Sequence, residues 1–193
     1  FALPKWRDGL TMGQSATFFH RTMTPIRLQP QHAAQYRQFM LDAYAIHPDA
    51  FTSTVAERAS APLSFWQTRM AGGEAASDVV FGIFTGTDAA QLAGVVGLQF
   101  ASREKVKHKA HLFGMMVAPQ MRHRGLGDAL VQAALDYAAT RPGVKLVQLT
   151  VTDGNRAAQA LYARHGFVAF GLEPMAVSVG DGFVAKLHMW RAL

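Results

Sequence analysis

The residues best suited to chemistry lie in one glycine-rich stretch, residues 118–127, with the sequence APQMRHRGLG. A strand-like apolar run ends just before it, and a run with helical periodicity begins just after it. Backbone amides at a helix start have no acceptor within the helix, and the helix dipole adds positive charge there. Gly125 and Gly127 are expected to leave room for an anion, while Arg122 and Arg124 add two charges. The stretch therefore predicts a phosphate-binding site.

Two other kinds of glycine-rich nucleotide loop do not fit this sequence. A dinucleotide fingerprint requires Gly or Ala at its sixth position, where the chain has Leu130. A P-loop requires Lys and then Ser or Thr after its last glycine, but Gly127 is followed by Asp128.

Positive charge is concentrated around the same stretch. The chain has 193 residues and a formal net charge of +6, and residues 101–124 contain one acid, Glu104, and six cations: Arg103, Lys105, Lys107, Lys109, Arg122 and Arg124. This charge favours an anionic partner, namely a phosphate ligand, a nucleic acid or an acidic protein, and the alternative is a solvated basic hairpin. Binding of nucleic acid is not expected, because the cations lack interleaved aromatic residues and a known module.

Composition excludes several classes of protein. There is no cysteine, so a disulfide scaffold, thiolate metal ligation and a cysteine nucleophile are all excluded. His108 and His111 lack further ligands at recognised spacing, so no metal site is expected. No apolar run approaches the roughly 18 residues that span a bilayer, and no signal peptide is evident at the start. We therefore expect a cytoplasmic protein that does not bind membranes.

Periodicity before the loop predicts an antiparallel β-sheet preceded by two helices. The pattern Ser64-Phe65-Trp66-Gln67 predicts a capping box at the start of the second helix. The odd-numbered residues of the last strand, among them His111 and Val117, are expected to share one face. The predicted elements are a strand at 26–28, helices at 32–45 and from 64 to the Gly72-Gly73 pair, and strands at 79–85, 91–100 and 109–117, with a turn at 86–88.

Beyond the loop, helical stripes alternate with strands. The predicted elements are a helix at 125–139, a strand at 146–151, a helix ended by Gly166, and strands at 167–172 and 183–190. A strand–helix–strand unit normally pairs its strands in parallel, so the strands at 109–117 and 146–151 are expected to be parallel. The fold class is α/β (α+β), with a mixed, mostly antiparallel central sheet of six to seven strands flanked by about four helices. One domain is expected over residues 23–193, with residues 1–22 as an N-terminal extension that is in part not native.

Two blocks of the sequence resemble those of a known superfamily. Residues 122–127, RHRGLG, resemble the signature Arg/Gln-x-x-Gly-x-Gly/Ala of the GNAT acetyl-CoA-dependent N-acetyltransferases, and Val117-Ala118-Pro119 resembles the lead-in to it. Residues 155–167, NRAAQALYARHGF, resemble the second block, Asn-x-x-Ala-x-x-Leu-Tyr-x-x-x-Gly-Phe. The order of predicted elements agrees with this family from Ile26 onward.

The resemblance implies where coenzyme A binds. Amides of the glycine loop would hold the pyrophosphate, and the pantetheine arm would lie in a V-shaped opening between the strand ending at Val117 and the strand starting near Leu146. Gly114 would be the bulge that starts this opening, or else a packing glycine. Asn155 would both cap its helix and contact the arm. The implied contacts are Met115, Met116, Val117, Arg122, His123, Arg124, Gly125, Leu126, Gly127, Asp128, Asn155, Ala158 and Tyr162.

The resemblance also implies catalytic roles. Tyr162 would protonate the departing thiolate, although on periodicity alone it belongs to the apolar stripe of its helix. Several relatives have a Glu base six positions before the strand-ending valine, where this chain has His111. A neutral histidine can accept a proton at pH 7, and Glu173 and water are rival bases. His111 as a solvated strand residue is the other reading.

The expected function is transfer of an acetyl group from acetyl-CoA to a primary amine of a small molecule or amino-acid-like acceptor by direct attack. Acceptors in a protein or peptide, or a non-catalytic acyl-CoA sensor, are the alternatives. The acceptor is expected between the first two helices, including residues 47–60, and a closing hairpin at 175–183. Four carboxylates there could pair with a cationic amine or be surface groups: Asp49, Glu57, Glu173 and Asp181. A homodimer is compatible with these expectations.

Overall fold

A computed structural model of the chain describes residues 23–73, 76–86 and 91–193. The predicted extension at 1–22 and positions 87 and 88 of the predicted turn lie outside the described residues. The helices and strands are β1 (Ile26–Arg27), α1 (Ala33–Ile46), α2 (Val55–Ser60), α3 (Leu63–Thr68), β2 (Asp78–Thr85), β3 (Gln91–Phe100), β4 (Lys109–Val117), α4 (Leu126–Thr140), β5 (Leu146–Thr152), α5 (Arg156–Arg164), β6 (Val168–Val179) and β7 (Gly182–Ala192).

These strands form one mixed sheet in the order β1-β2-β3-β4-β5-β7-β6. Strands β4 and β5 are parallel, as the strand–helix–strand rule predicts, and the other neighbouring pairs are antiparallel. The expected mixed, mostly antiparallel sheet is therefore confirmed. The helices exceed the expected number because residues 55–68 contain two short helices.

The start of these two short helices differs from the prediction. The expected capping box at Ser64 is wrong, because Pro62 already precedes the first turn of α3 and the Ser64 carbonyl accepts a hydrogen bond from Thr68 inside the helix. A capping box lies earlier, at α2. There the Thr54 hydroxyl accepts from the Glu57 amide at 3.2 Å, and the Glu57 carboxylate accepts from the Thr54 amide at 2.7 Å.

Helices cover both faces of the sheet and bury two apolar clusters. On one face, α4 and α5 pack against alternate residues of the central strands, including Val96 and Leu98. On the other face, Tyr36 of α1 and Trp66 of α3 pack against the intervening residues, including Val95. The strands at the centre are buried on both sides and are therefore almost continuously apolar.

A bulge at Gly114 divides β4 into two parts. Gly114 has φ +60°, and the pairing with β3 shifts register between Val95 and Gly97. The extra residue inverts the alternation, so Phe113 faces α1 and α3 whereas Met115 packs on the α4 side. The expectation that all odd-numbered residues of this strand share one face is therefore wrong beyond the bulge, while the bulge itself is confirmed.

The two parallel strands separate soon after they meet. They pair only at Lys109 with Leu146, Ala110 with Val147, and His111 with Gln148. Beyond these pairs, residues 112–117 of β4 have no strand partner on the β5 side. The expected V-shaped opening is present, and it places the outer half of β4 and the start of α4 around one cleft.

The closing hairpin is longer than predicted. Strand β6 continues to Val179, and β7 begins at Gly182. The register shifts between Glu173 and Val177, where Met175 has φ +51°. The closing hairpin expected at 175–183 is therefore present, and its strands extend beyond the predicted bounds of 167–172 and 183–190.

Candidate active site

A cleft of about 380 Å³ lies between β4, α4 and α5. The structure brings twelve of the thirteen expected coenzyme contacts onto its wall. These are Met115, Met116, Val117, Arg122, His123, Gly125, Leu126, Gly127, Asp128, Asn155, Ala158 and Tyr162. Arg124 is exposed and does not line the cleft. His47 and Phe51, which the sequence analysis assigned to the acceptor region rather than to the coenzyme, also line the cleft.

The start of α4 supplies unpaired amides to this cleft. Gly125 is the N-cap in a left-handed conformation, with φ +75° and no side-chain cap. The first helical hydrogen bond runs from the Ala129 amide to the Gly125 carbonyl at 3.0 Å. The amides of Leu126, Gly127 and Asp128 therefore have no acceptor within the helix, and all three residues line the cleft. Such a terminus suits a phosphate.

The two loop glycines have different roles. A Cβ on Gly125 would meet no protein atom within 4 Å, so this residue is required for its positive φ. A Cβ on Gly127 would lie 3.2 Å from Leu161 Cδ2 and 3.5 Å from Met115 Cε. Gly127 therefore allows α4 to pack closely on Leu161 and Met115. Its missing side chain makes room for these two residues rather than for an anion.

The acidic residue at this helix start is neutralised by its neighbours. Arg164 Nη2 donates to both carboxylate oxygens of Asp128 at 3.1 Å. His165 Nε2 lies 3.2 Å from Asp128 Oδ1. The carboxylate thus has a cationic partner, Arg164 of α5, which reduces its repulsion of an anion in the cleft.

Arg122 is held across the cleft by the loop after α1. Its Nη2 donates to His47 Nε2 at 2.8 Å, and its Nε donates to the Val117 carbonyl at 3.4 Å. Because a guanidinium group can only donate, His47 Nε2 is the acceptor in this contact. The arginine is therefore positioned beside the free amides of the loop.

Tyr162 lies where the cleft reaches the V-shaped opening. The side chain is 5% exposed, and its ring packs edge-on against Phe167. Burial raises the pKa of the Tyr162 hydroxyl above its usual value, so the group stays protonated at neutral pH. The hydroxyl has no hydrogen-bond partner among the described residues. Its oxygen is nevertheless not fully buried, so a group in the cleft can reach it. It can therefore donate a proton to a group in the cleft.

Asn155 forms the cap that its position predicts. Its side-chain oxygen accepts a hydrogen bond from the Ala158 amide at 3.1 Å, which satisfies one free donor at the start of α5. The same residue lines both the cleft and the cavity beyond Tyr162. Its capping bond fixes the side chain on that wall.

A second cavity of about 190 Å³, the inner cavity, fills the V-shaped opening and shares Tyr162 with the cleft. Lys186 of β7 lines it and is 4% exposed. Its ammonium group donates to the carbonyls of Asp49 and Ala50 at 3.1 and 2.9 Å and to the Thr152 hydroxyl at 2.8 Å. Burial lowers the pKa of this lysine. The sequence analysis missed Lys186, whose only signal is a cation within a mostly apolar strand.

The two candidate bases lie in different surroundings. His111 lines the inner cavity, and burial, followed by the nearby His188, lowers the pKa of its imidazole. Glu173 lines none of the cavities described here, and its carboxylate accepts from His188 Nε2 at 2.9 Å. His111 is therefore neutral at pH 7 and lines the inner cavity beside Tyr162, whereas Glu173 contacts His188.

A third cavity of about 210 Å³, the arginine cavity, lies between α1, the two short helices and β4. It shares His111 and Gly114 with the inner cavity. The four carboxylates expected to receive a cationic amine are absent from its wall, which instead has Arg58 and Arg69. Sequence analysis missed both arginines because nothing in their spacing distinguishes them from solvated helix residues.

Within the described ranges, no group of three or more His, Asp or Glu residues could hold a metal ion. None of the helices in the same ranges is long and apolar enough to cross a bilayer.

Known proteins share both the sequence pattern and the fold. Residues 36–167 match the acetyltransferase (GNAT) family. The ribosomal protein bS18-alanine N-acetyltransferase of Salmonella typhimurium is 41% identical over 68 residues, which cover 35% of this chain and 45% of that protein. The chain therefore matches less than half the length of this relative.

Solved structures agree along most of the chain. A GNAT-family acetyltransferase from Streptococcus pneumoniae superposes with a TM-score of 0.72 at 24% identity, covering 88% of this chain and 98% of that one. A putative acetyltransferase of Salmonella typhimurium, yncA, solved with its cofactor acetyl-CoA, gives a TM-score of 0.70 at 16% identity, covering 89% and 94%. At these identities the likeness concerns the fold. Because the family match spans more than half of the sequence, the chain belongs to the GNAT family of acetyltransferases.

Proposed function

We propose that this protein transfers an acetyl group from acetyl-CoA to the primary amine of a small, amino-acid-like acceptor. The observation that carries the proposal is the continuous arrangement of three sites along β4. Free amides of α4 line the cleft, Tyr162 lies between the cleft and the inner cavity, and His111 lies between the inner cavity and the arginine cavity.

The residues of the cleft suit coenzyme A. The amides of Leu126, Gly127 and Asp128 and the guanidinium of Arg122 would hold the pyrophosphate. The unpaired edge of β4 at 115–117 would hold the pantetheine arm in the manner of an added strand. The coenzyme supplies an acetyl group activated as a thioester.

Tyr162 would supply the proton that the leaving thiolate needs. A phenol is protonated at neutral pH, and burial raises the pKa of this one further; Tyr162 lines both the cleft and the inner cavity. A positioned general acid contributes roughly 10²- to 10⁴-fold to a rate.

His111 would remove a proton from the acceptor amine. An alkylamine with a pKa near 10.4 is neutral in only about 1 part in 2,500 at pH 7, which costs about 4–5 kcal/mol. A neutral imidazole can accept that proton, and the lowered pKa keeps His111 neutral. The free amine would then attack the thioester carbonyl directly, without a covalent enzyme intermediate. Glu173, acting from beyond His188, and water remain the alternative bases.

A protein N-terminus is the second candidate acceptor. The name of the matched Salmonella relative describes acetylation of an alanine in a ribosomal protein. That match covers only 45% of the relative, so the acceptor of the relative does not determine the acceptor of this chain. A sensor that binds acyl-CoA without turnover is the third candidate, and the accessible Tyr162 hydroxyl favours catalysis over it.

The test is release of coenzyme A thiol, with product masses, for acetyl-CoA incubated with amino acids, polyamines, aminoglycosides and peptides. Acetylated small amines, formed at rates proportional to enzyme, support the proposal. Acetylation confined to peptide N-termini supports the second candidate. Tight coenzyme A binding in calorimetry without any acetylated product contradicts catalysis and supports the sensor.

A further inference from the structure

The arginine cavity has two guanidinium groups arranged around one aromatic ring. The guanidinium carbons of Arg58 and Arg69 each lie 4.9 Å from the centroid of Phe65. Arg69 also lies 4.9 Å from the centroid of Phe113, directly before the bulge. Tyr44 and Tyr36 of α1 line the same cavity, and the nearby Arg58 and Arg69 act on the pKa of Tyr44 and Tyr36, respectively, in the lowering direction against the effect of burial. These contacts fix both cations on the wall of the cavity.

No carboxylate of the described residues forms an ion pair with these two cations. None of the described Asp or Glu residues lines the cavity. The adjacent Glu57 is engaged in its capping box, and Asp78 accepts from Gln99 at 3.3 Å. The Nε of Arg58 is buried without a hydrogen-bond partner. Two half-buried positive charges on one cavity wall and an unsatisfied donor favour an anion in this cavity.

The cavity limits both the size and the orientation of a ligand. Its volume of about 210 Å³ is below the range of about 300–1,000 Å³ for pockets of drug-sized ligands. Its far side is shared with the inner cavity at His111 and Gly114. A small molecule with its anionic end on the arginines therefore directs its other end towards the candidate base.

We propose that the acceptor is a small primary amine that carries a carboxylate, in its simplest form a free α-amino acid, and that Arg58 and Arg69 bind this carboxylate. The inference rests on the proposed acetyl transfer and adds the chemical class of the acceptor. Guanidinium groups bind carboxylates through paired, charge-assisted hydrogen bonds. A peptide N-terminus has a neutral amide at the same position and lacks this interaction, so the free amino acid is the preferred acceptor.

The first experiment compares kcat/KM for leucine, leucinamide, 3-methylbutylamine and the phosphonic-acid analogue of leucine. Wild-type protein is expected to prefer leucine to leucinamide by about 10- to 100-fold, the range of a charge-assisted hydrogen bond. Arg58→Gln and Arg69→Gln are each expected to remove most of this preference while the KM for acetyl-CoA stays unchanged. Lys105→Gln, which removes an exposed charge elsewhere, is the matched control and is expected to keep it.

Equal or faster reaction of leucinamide or of a leucyl peptide in the wild type overturns the inference and leaves acetyl transfer intact. Faster reaction of the phosphonic acid overturns the choice of a carboxylate. These comparisons need no variant, so they remain decisive if a substitution prevents folding. Arg69→Lys, which keeps the charge without the planar fork, is expected to retain part of the preference.

Calorimetry separates failure of the inference from failure of the proposed function. N-acetylleucine is expected to bind the coenzyme A complex of the wild type and to bind Arg69→Gln at least about 10-fold more weakly, with coenzyme A affinity unchanged. Binding of N-acetylleucinamide as tight as that of N-acetylleucine overturns the inference. Arginine-dependent binding without acetylation of any amine supports the carboxylate site and contradicts only the proposed catalysis.

Discussion

The Tyr162 hydroxyl combines a buried ring with an oxygen that is open to the cleft. We expect Tyr162→Phe to lower kcat by about 10²-fold or more, because the substitution removes the proton donor and keeps the packing on Phe167. The dissociation constant for acetyl-CoA, measured by calorimetry, is expected to stay the same. Tyr137→Phe, a substitution among Phe81 and Phe100 on the other side of α4, is the control and is expected to keep full activity. Full activity of Tyr162→Phe would assign the acid role to water.

The lowered pKa of His111 sets the pH dependence. The neutral imidazole is the base, so kcat/KM is expected to lose the contribution of this group only below pH 6.5, as pH falls through its lowered pKa. His111→Gln is expected to lower kcat/KM and to remove this acidic bend, while His108→Gln is expected to keep it. An unchanged bend in His111→Gln would contradict the assignment and favour Glu173 or water.

The lowered pKa of His111 also makes the stability of the folded protein depend on pH. Between the lowered pKa and 6.5, the unfolded chain binds more protons at position 111 than the folded chain does. The free energy of unfolding is therefore expected to fall as pH decreases below 6.5, and His111→Gln is expected to reduce that slope in denaturant titrations.

The sequence identifies some of the residues at the candidate site and misses others. The residues around the glycine loop that line the cleft were predictable because glycines, cations and a helix start occur together in one short stretch. Arg58, Arg69 and Lys186 were not, because each gains its role from distant partners, such as Phe113 for Arg69 and Asp49 for Lys186. Contacts between segments far apart in the sequence produce no local pattern from which a role could be predicted.

At the scale of elements, the start of α4 depends on the left-handed Gly125. We expect Gly125→Val to weaken coenzyme A binding by at least about 10-fold in calorimetry, because a β-branched residue at φ +75° forces the loop and its amides to move.

Gly143→Val is the matched control. Gly143 also has positive φ, at +81°, and open space around its Cβ, but it lies in the loop before β5, away from the cleft. Both variants are expected to lose similar stability, by about 1–3 kcal/mol, and only Gly125→Val is expected to lose coenzyme A affinity. Equal affinity losses in the two variants would show that strain alone, rather than the loop amides, explains the effect.

Elements were predictable where periodicity was uninterrupted. The bounds of β3 and β4 agree with the predicted ones because apolar runs with clear turn signals define them. The bulge at Gly114 was expected, but its effect on the faces of Phe113 and Met115 was missed because simple alternation assumes an unbroken pleat. Both Thr54 and Ser64 carry the capping-box pattern, but only Thr54 lies at a helix start, because α3 begins after Pro62 and includes Ser64.

At the scale of the molecule, Lys186 connects the loop after α1 to the second half of the sheet. We expect Lys186→Met to speed amide hydrogen exchange across residues 47–53 by roughly 10-fold, since the Asp49 and Ala50 carbonyls lose their donor. Lys145→Met, at an exposed position, is the control and is expected to leave exchange there unchanged. Unchanged exchange in Lys186→Met would show that other contacts hold the loop.

The architecture as a whole was predictable because two motif blocks and the order of elements agree with one family. The length of the closing hairpin was not, because β6 is an edge strand with exposed apolar residues and no alternating pattern to define its end. A homodimer stays a prediction.

The short contact between β4 and β5 also has a consequence for the stability of the protein when a ligand binds. Three residue pairs, at 109–111 and 146–148, join β4 to β5, so little backbone pairing connects the two halves of the sheet there. A ligand bound along the free edge of β4 would add contacts to both halves. Saturation at about 100 times the dissociation constant adds about 2.7 kcal/mol to a protein that binds only when folded. The thermal midpoint of unfolding is therefore expected to rise when a ligand occupies the cleft along β4.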